Sequence, residues 1–117
     1  MREKLTIESK KAGDVSIFEL KGTVTLGEGD IVLKKTIQGS LKDGEKKILL
    51  NLENVKYMDS SGIGELVACY TSVTNRGGQL KLLNLKSRIL ELLQVTQLLQ
   101  VFEAYDEEGE AIQSFKA

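Results

Sequence analysis

The stretch Met58-Asp59-Ser60-Ser61-Gly62-Ile63-Gly64-Glu65-Leu66-Val67-Ala68-Cys69-Tyr70 joins two different patterns. Ahead of it, Lys47-Ile48-Leu49-Leu50-Asn51-Leu52 is a short, nearly continuous apolar run, as expected of a central strand covered on both faces. Beyond the serines, Ile63, Leu66, Val67, Tyr70 and Val73 recur at helical spacing, with Glu65, Cys69, Ser72 and Arg76 on the opposite face. A strand ending at Leu52 and a helix beginning at Gly62 place Asp59, Ser60 and Ser61 in the strand-to-helix turn, beside the free N–H groups of the helix start. Lys56 falls at the strand end or in that loop.

Working toward the N-terminus, Leu5-Thr6-Ile7-Glu8-Ser9 alternates, and so do Val15, Ile17 and Leu20, which reads as two strands joined by a turn at Ala12-Gly13-Asp14. Gly22 to Gly29 reads as a connection. Asp30 is placed to cap a helix carrying Leu33, Ile37 and Leu41, which Gly44 ends. Working toward the C-terminus, Gly77-Gly78 stops the central helix and Leu80-Lys81-Leu82-Leu83 is another strand. Ser87 is a candidate cap for a third helix with Ile89, Leu92 and Leu93. Val101-Phe102 reads as an edge strand, and Asp106 as the cap of a final helix with Ala111, Ile112 and Phe115. Strands alternating with helices imply parallel crossovers. The expected class is α/β: one domain over residues 1–117, with a small mixed sheet of four to five strands and about four helices packed on it.

Composition narrows the function. Sixteen basic and seventeen acidic residues leave a net charge of -1, so no field of one sign draws in nucleic acid or an anionic membrane. The run Lys42-Asp43-Gly44-Glu45-Lys46-Lys47 is a solvated connection. With no signal-peptide core, no membrane-length apolar run and a single cysteine, a reducing cytoplasm is the expected location. Cys69 is read as a small packing residue. The chain has no histidine, which removes the Ser-His-Asp triad, the histidine general base and nearly all catalytic zinc sites. Neither serine sits in a G-x-S-x-G frame, and the lysine and glycine spacing of a phosphate-binding P-loop is missing. No catalytic residue, metal site or cofactor is expected. A serine before a helix is also an ordinary N-cap, and the residues alone do not choose between Ser60 and Ser61.

Gly22-Thr23-Val24-Thr25-Leu26, Ile48 to Leu52, Met58-Asp59-Ser60-Ser61-Gly62-Ile63-Gly64 and Gly77 to Asn84, taken together, resemble the STAS family, the sulfate-transporter and anti-sigma-factor-antagonist domain. The similarity is strongest to the stand-alone bacterial anti-sigma-factor antagonists and covers essentially the whole chain. It implies that the serine directly after the aspartate, Ser60, is the phosphoacceptor. It further implies a partner that is an anti-sigma factor and serine kinase with the histidine-kinase-like ATPase fold, and a PP2C-type phosphatase that reverses the mark. Unphosphorylated, such a protein binds the anti-sigma factor and frees the sigma factor. The docking surface implied includes Asp59, Ser61, Gly62, Gly64 and Glu65, with Cys69 and Ser72 further along the helix, and the Leu26-Gly27-Glu28-Gly29-Asp30 connection. A constitutive, unphosphorylated subunit of a sensory or lipid-transport assembly is the alternative within the same family. The leucines between Leu85 and Leu99 are read as core. Val95-Thr96-Gln97 stands where many relatives have a glycine after the third helix.

Overall fold

The computed structural model describes residues 3–116. Strands β1 (Thr6–Ala12) and β2 (Val15–Val24) form an antiparallel hairpin. Beyond it β3 (Lys47–Met58), β4 (Gln79–Leu83) and β5 (Ala104–Tyr105) add in parallel, and the sheet order is β1-β2-β3-β4-β5. Helices α1 (Gly29–Lys42), α2 (Ser60–Asn75), α3 (Ser87–Val95) and α4 (Glu108–Ser114) follow β2, β3, β4 and β5 in turn. This is the mixed α/β sheet that the alternation of patterns predicts.

The apolar run of β3 divides between two cores, which is why it carries no polar alternation. Ile48, Leu50 and Leu52 pack with Leu33 and Ile37 of α1, Leu66 and Val73 of α2, and Ile89 and Leu93 of α3. Leu49 faces the other way, with Val15, Ile17, Leu83 and the α4 residues Ala111 and Phe115. On this second face Lys81 is buried: its ammonium donates to the Ser114 carbonyl at 3.0 Å, pairs with Glu103 at 2.9 Å and lies 4.7 Å from the centroid of the Phe115 ring. A cation at the last carbonyls of α4 is the favourable end of its dipole.

Several boundaries differ from those expected. Strand β3 continues six residues past Leu52, to Met58, and β2 runs through Gly22 to Val24. The β2–β3 register slips twice, between Glu19 and Lys21 and between Gly22 and Thr23, each slip adding one residue to β3. Two bulges rephase the strand, so Leu52, Val55 and Met58 all enter the same core at a spacing of three. The last strand is Ala104–Tyr105 rather than Val101-Phe102. Phe102 is a core residue from the preceding turn, edge-on to Tyr70 at 5.3 Å.

The expected caps also move. The N-cap of α1 is Glu28, and Asp30 lies inside the first turn, where it accepts from the N–H of Gly27 at 2.9 Å and of Ile31 at 2.8 Å. Lys86 and Glu107, with no side-chain cap, precede α3 and α4, so Ser87 and Asp106 do not serve as caps.

The departure at Val95-Thr96-Gln97 does not disturb the helix end. Gln97 takes the left-handed conformation, φ +60°, in the place usually held by glycine. Its N–H donates to Gln94 at 3.1 Å and that of Leu98 to Leu93 at 2.9 Å, the paired bonds of a Schellman motif. Gly77 closes α2 with the same two bonds, 2.9 Å each, to Thr74 and, through Gly78, to Val73.

Candidate functional site

The residues singled out from the sequence gather at one end of the sheet, where β2 and β3 end and α1 and α2 begin. Helix α2 starts at Ser60 rather than Gly62, and its N-cap is Asp59 rather than a serine. The Asp59 carboxylate is shared: Oδ1 accepts from the N–H of Gly62 at 2.9 Å, and Oδ2 accepts from the N–H of Leu26 at 3.1 Å. The Asp59 N–H in turn donates to the carbonyl of Val24 at 3.3 Å. One side chain therefore caps α2 and fastens the 25–28 connection beside it.

Two glycines bring both helices onto Val24. A Cβ at Gly29 would strike the Thr23 carbonyl oxygen and come within 2.7 Å of the Val24 Cα. A Cβ at Gly62 would strike the Val24 carbonyl oxygen and come within 2.7 Å of the Met58 side chain. Gly62 is thus buried and serves internal packing, not the approach of another molecule. Gly64 is different: it is exposed, with open space where a side chain would be. Gly27 is exposed at φ +87°, and Glu28 is exposed on the same connection.

Because Asp59 does the capping, the Ser60 hydroxyl is not needed for it. Ser60 is exposed and its side chain makes no hydrogen bond among the described residues, whereas Ser61 is half-buried. Glu65 is half-buried one turn on, and its carboxylate accepts from the Cys69 thiol at 3.4 Å. Cys69 itself is buried, which removes it from the exposed face of α2. Burial, with Glu65 beside it, pushes its thiol well above the ordinary range, so it is a poor nucleophile. Ser72 is exposed, more than three turns along α2 from Ser60.

Leu26, expected on the docking connection, is 73% exposed. The site also contains residues that sequence reading did not assign to it, Ile31 and Val32, which are exposed in the first turn of α1. The signal for these was present: Ile31-Val32-Leu33 is an apolar run too wide for one helical stripe. On the other side of Ser60 lies a cavity of about 740 Å³ between α2 and α3, lined by Tyr57, Ser60, Ile63, Arg88, Leu92 and Val95 among others. Val95 is 75% exposed there. Among the described residues no group of His, Cys, Asp and Glu could hold a metal ion, and no helix is long and apolar enough to cross a membrane.

The family model of the STAS domain matches residues 6–111. The chain belongs to the STAS domain family. Among curated STAS relatives, the anti-sigma F factor antagonist of Paenibacillus polymyxa is 27% identical over 108 residues, covering 92% of each chain. The anti-sigma-B factor antagonist of Staphylococcus aureus is 35% identical over 66 residues, which is 56% of this chain and 61% of that protein. SpoIIAA, an anti-sigma factor antagonist and cell fate determinant of Bacillus, has the same fold at 21% identity. Its unphosphorylated form matches with a TM-score of 0.72, covering 97% of this chain and 98% of that one, and its phosphorylated form with 0.71, covering 93% and 98%.

Proposed function

We propose that this STAS domain is an anti-sigma-factor antagonist whose hold on its partner is switched by phosphorylation of Ser60. The observation that carries the reading is the state of Ser60: exposed, without a hydrogen bond among the described residues, and released from capping by Asp59. The name of the full-length Paenibacillus relative supports the activity. That SpoIIAA keeps this fold in both its forms supports a switch that needs no refolding.

In this reading the partner is an anti-sigma factor and serine kinase of the histidine-kinase-like ATPase fold. Ser60 Oγ attacks the γ-phosphorus of ATP, the bond to ADP breaks and the hydroxyl proton passes to a base of the kinase. A PP2C-type phosphatase reverses the mark: water attacks phosphorus and the serine oxygen leaves protonated. The docking surface consists of the rim around Ser60: Asp59, Ser61, Gly64, Glu65, and the Gly27-Glu28 connection with exposed Leu26. Gly62 contributes by seating α2 rather than by contact. A phosphate adds about -1.5 to -2 charges at the centre of this surface. A loss of about 2.8 kcal/mol, within reach of like charges brought together at an interface, weakens binding about a hundredfold.

Intact-mass and tandem mass spectrometry on the protein isolated from its native cells tests the proposal. A phosphate on Ser60 that changes with growth condition is the expected result. Ser60 unmodified under every condition overturns it in favour of a constitutive STAS subunit.

A further inference from the structure

Ser60, at the start of α2, and Arg88, in the first turn of α3, line the same cavity. The other charged groups facing it are Asp59 and Glu91, and Tyr57 is the remaining titratable one. The Arg88 side chain makes no hydrogen bond or ion pair among the described residues, although Glu91 lies one turn further along its own helix. Its position is also unfavourable for the helix. Helix α3 opens on Lys86 and Arg88, with no acidic residue in its first turn and no side-chain cap, so cations sit at the positive end of its dipole. A locally unfavourable charge without a structural partner points to a role outside folding.

We infer that Arg88 is the internal counter-charge for a phosphate on Ser60, which rests on the reading of Ser60 as phosphoacceptor given above. The planar guanidinium offers two parallel donors to a phosphate, a geometry lysine lacks. In the unmodified protein Arg88 is unengaged and the cavity stands open. Once Ser60 carries a phosphate, the Arg88 side chain reaches across from α3 and narrows the cavity beside the docking rim. The mark then acts twice: it adds charge to the rim and it constricts a hollow that a partner side chain could enter.

The test needs neither kinase nor partner. Protein carrying genetically encoded phosphoserine at position 60 is titrated by phosphorus NMR, with the Arg88→Gln, Arg88→Lys and Glu91→Gln variants alongside. The second ionisation of a phosphoserine lies ordinarily near pH ~6. Pairing with Arg88 favours the dianion, so Arg88→Gln raises that pKa by about 0.5, a threefold change in proton affinity, and Arg88→Lys by less. Glu91→Gln removes a like charge and lowers it. Identical titrations for the parent protein and Arg88→Gln, both folded by their amide spectra, overturn the inference. That outcome leaves the switch to charge repulsion alone, whereas absence of Ser60 phosphate in cells overturns the switch without touching the titration.

Discussion

The backbone N–H of Leu26 donates a 3.1 Å hydrogen bond to Oδ2 of Asp59, 33 residues along the chain, while Oδ1 of the same carboxylate caps α2 at Gly62. The connection after β2 and the start of α2 therefore share one fastening. Ser60, next in sequence, is left exposed between them.

Substitutions at Asp59 separate the two bonds. Asparagine keeps an acceptor for Gly62 but turns an amide toward the Leu26 N–H, so Asp59→Asn costs about 1 kcal/mol. Alanine loses the cap as well, and Asp59→Ala costs about 2 kcal/mol. Urea unfolding measures both. Hydrogen exchange at the Leu26 amide quickens in either variant, and unchanged exchange in Asp59→Asn would mean that the link to Leu26 does not hold the connection.

Gly64 and Gly39 are both exposed helical glycines with open space around them. Replacement of either by alanine stabilises the domain by about 0.5–1 kcal/mol. Only Gly64 lies on the proposed docking rim, so only Gly64→Ala weakens binding to the anti-sigma factor. Gly62→Ala, which drives a methyl into the Val24 carbonyl, destabilises by roughly 1–3 kcal/mol. Thermal unfolding paired with a binding isotherm distinguishes the three.

Gln97 holds a left-handed backbone at the end of α3 without being glycine. Gln97→Gly relieves that conformation and stabilises by about 0.5–1 kcal/mol, net of the added freedom in the unfolded chain. A fall in unfolding midpoint would show that the Gln97 side chain contributes something beyond its backbone.

Stability follows pH with a broad plateau, because no histidine titrates in it. Lys11, with help from Ser40, holds the Glu45 carboxyl below the ordinary glutamate value of 4.5, and Lys81 does the same for Glu103. Such depressed carboxylates stabilise the fold above their unfolded values, and that stability is lost as pH falls through the folded ones. The acid limb accordingly begins below pH 4.5, and Glu45→Gln makes it shallower. At the other end the buried Cys69 thiol stays neutral while the unfolded thiol ionises near 9.0. Its contribution is present below that value and lost as pH rises above it, so Cys69→Ala flattens the start of the alkaline limb. Unfolding curves across pH 3–10, with the range about that given by the ordinary side-chain values, check both.

The order of elements was legible because each carries its own period: the apolar run of β3, the Ile63-Leu66-Tyr70-Val73 stripe of α2 and the glycine after it. The end of β3 was not, because its bulges space Leu52, Val55 and Met58 at three and mimic neither strand nor loop. Capping was hard to place for a different reason. Asp, Ser and Thr suit several positions near a helix start, and only the packing of the preceding strand decides which is used: Asp59 caps α2, while Ser87 and Asp106 do not cap at all. Cys69 is the small packing residue it was read as, but its face was misassigned, because a small side chain on the margin of a stripe can turn either way. Arg88 lies 28 positions from Ser60 and comes to line the same cavity only through the crossover to α3, which no local pattern records.

Val24, held between Gly29 and Gly62, divides the residues at this end of the sheet into two sets with different freedom to vary. At the two glycines any larger side chain meets backbone, so a change there is refused by the fold before a partner is consulted. Leu26, Ile31, Val32 and Gly64 face outward, and substitutions there alter what the rim recognises while the frame stays put. A lineage of such proteins could therefore exchange one anti-sigma factor for another by drift at these outer positions, and keep several copies in one cell from answering each other's partners.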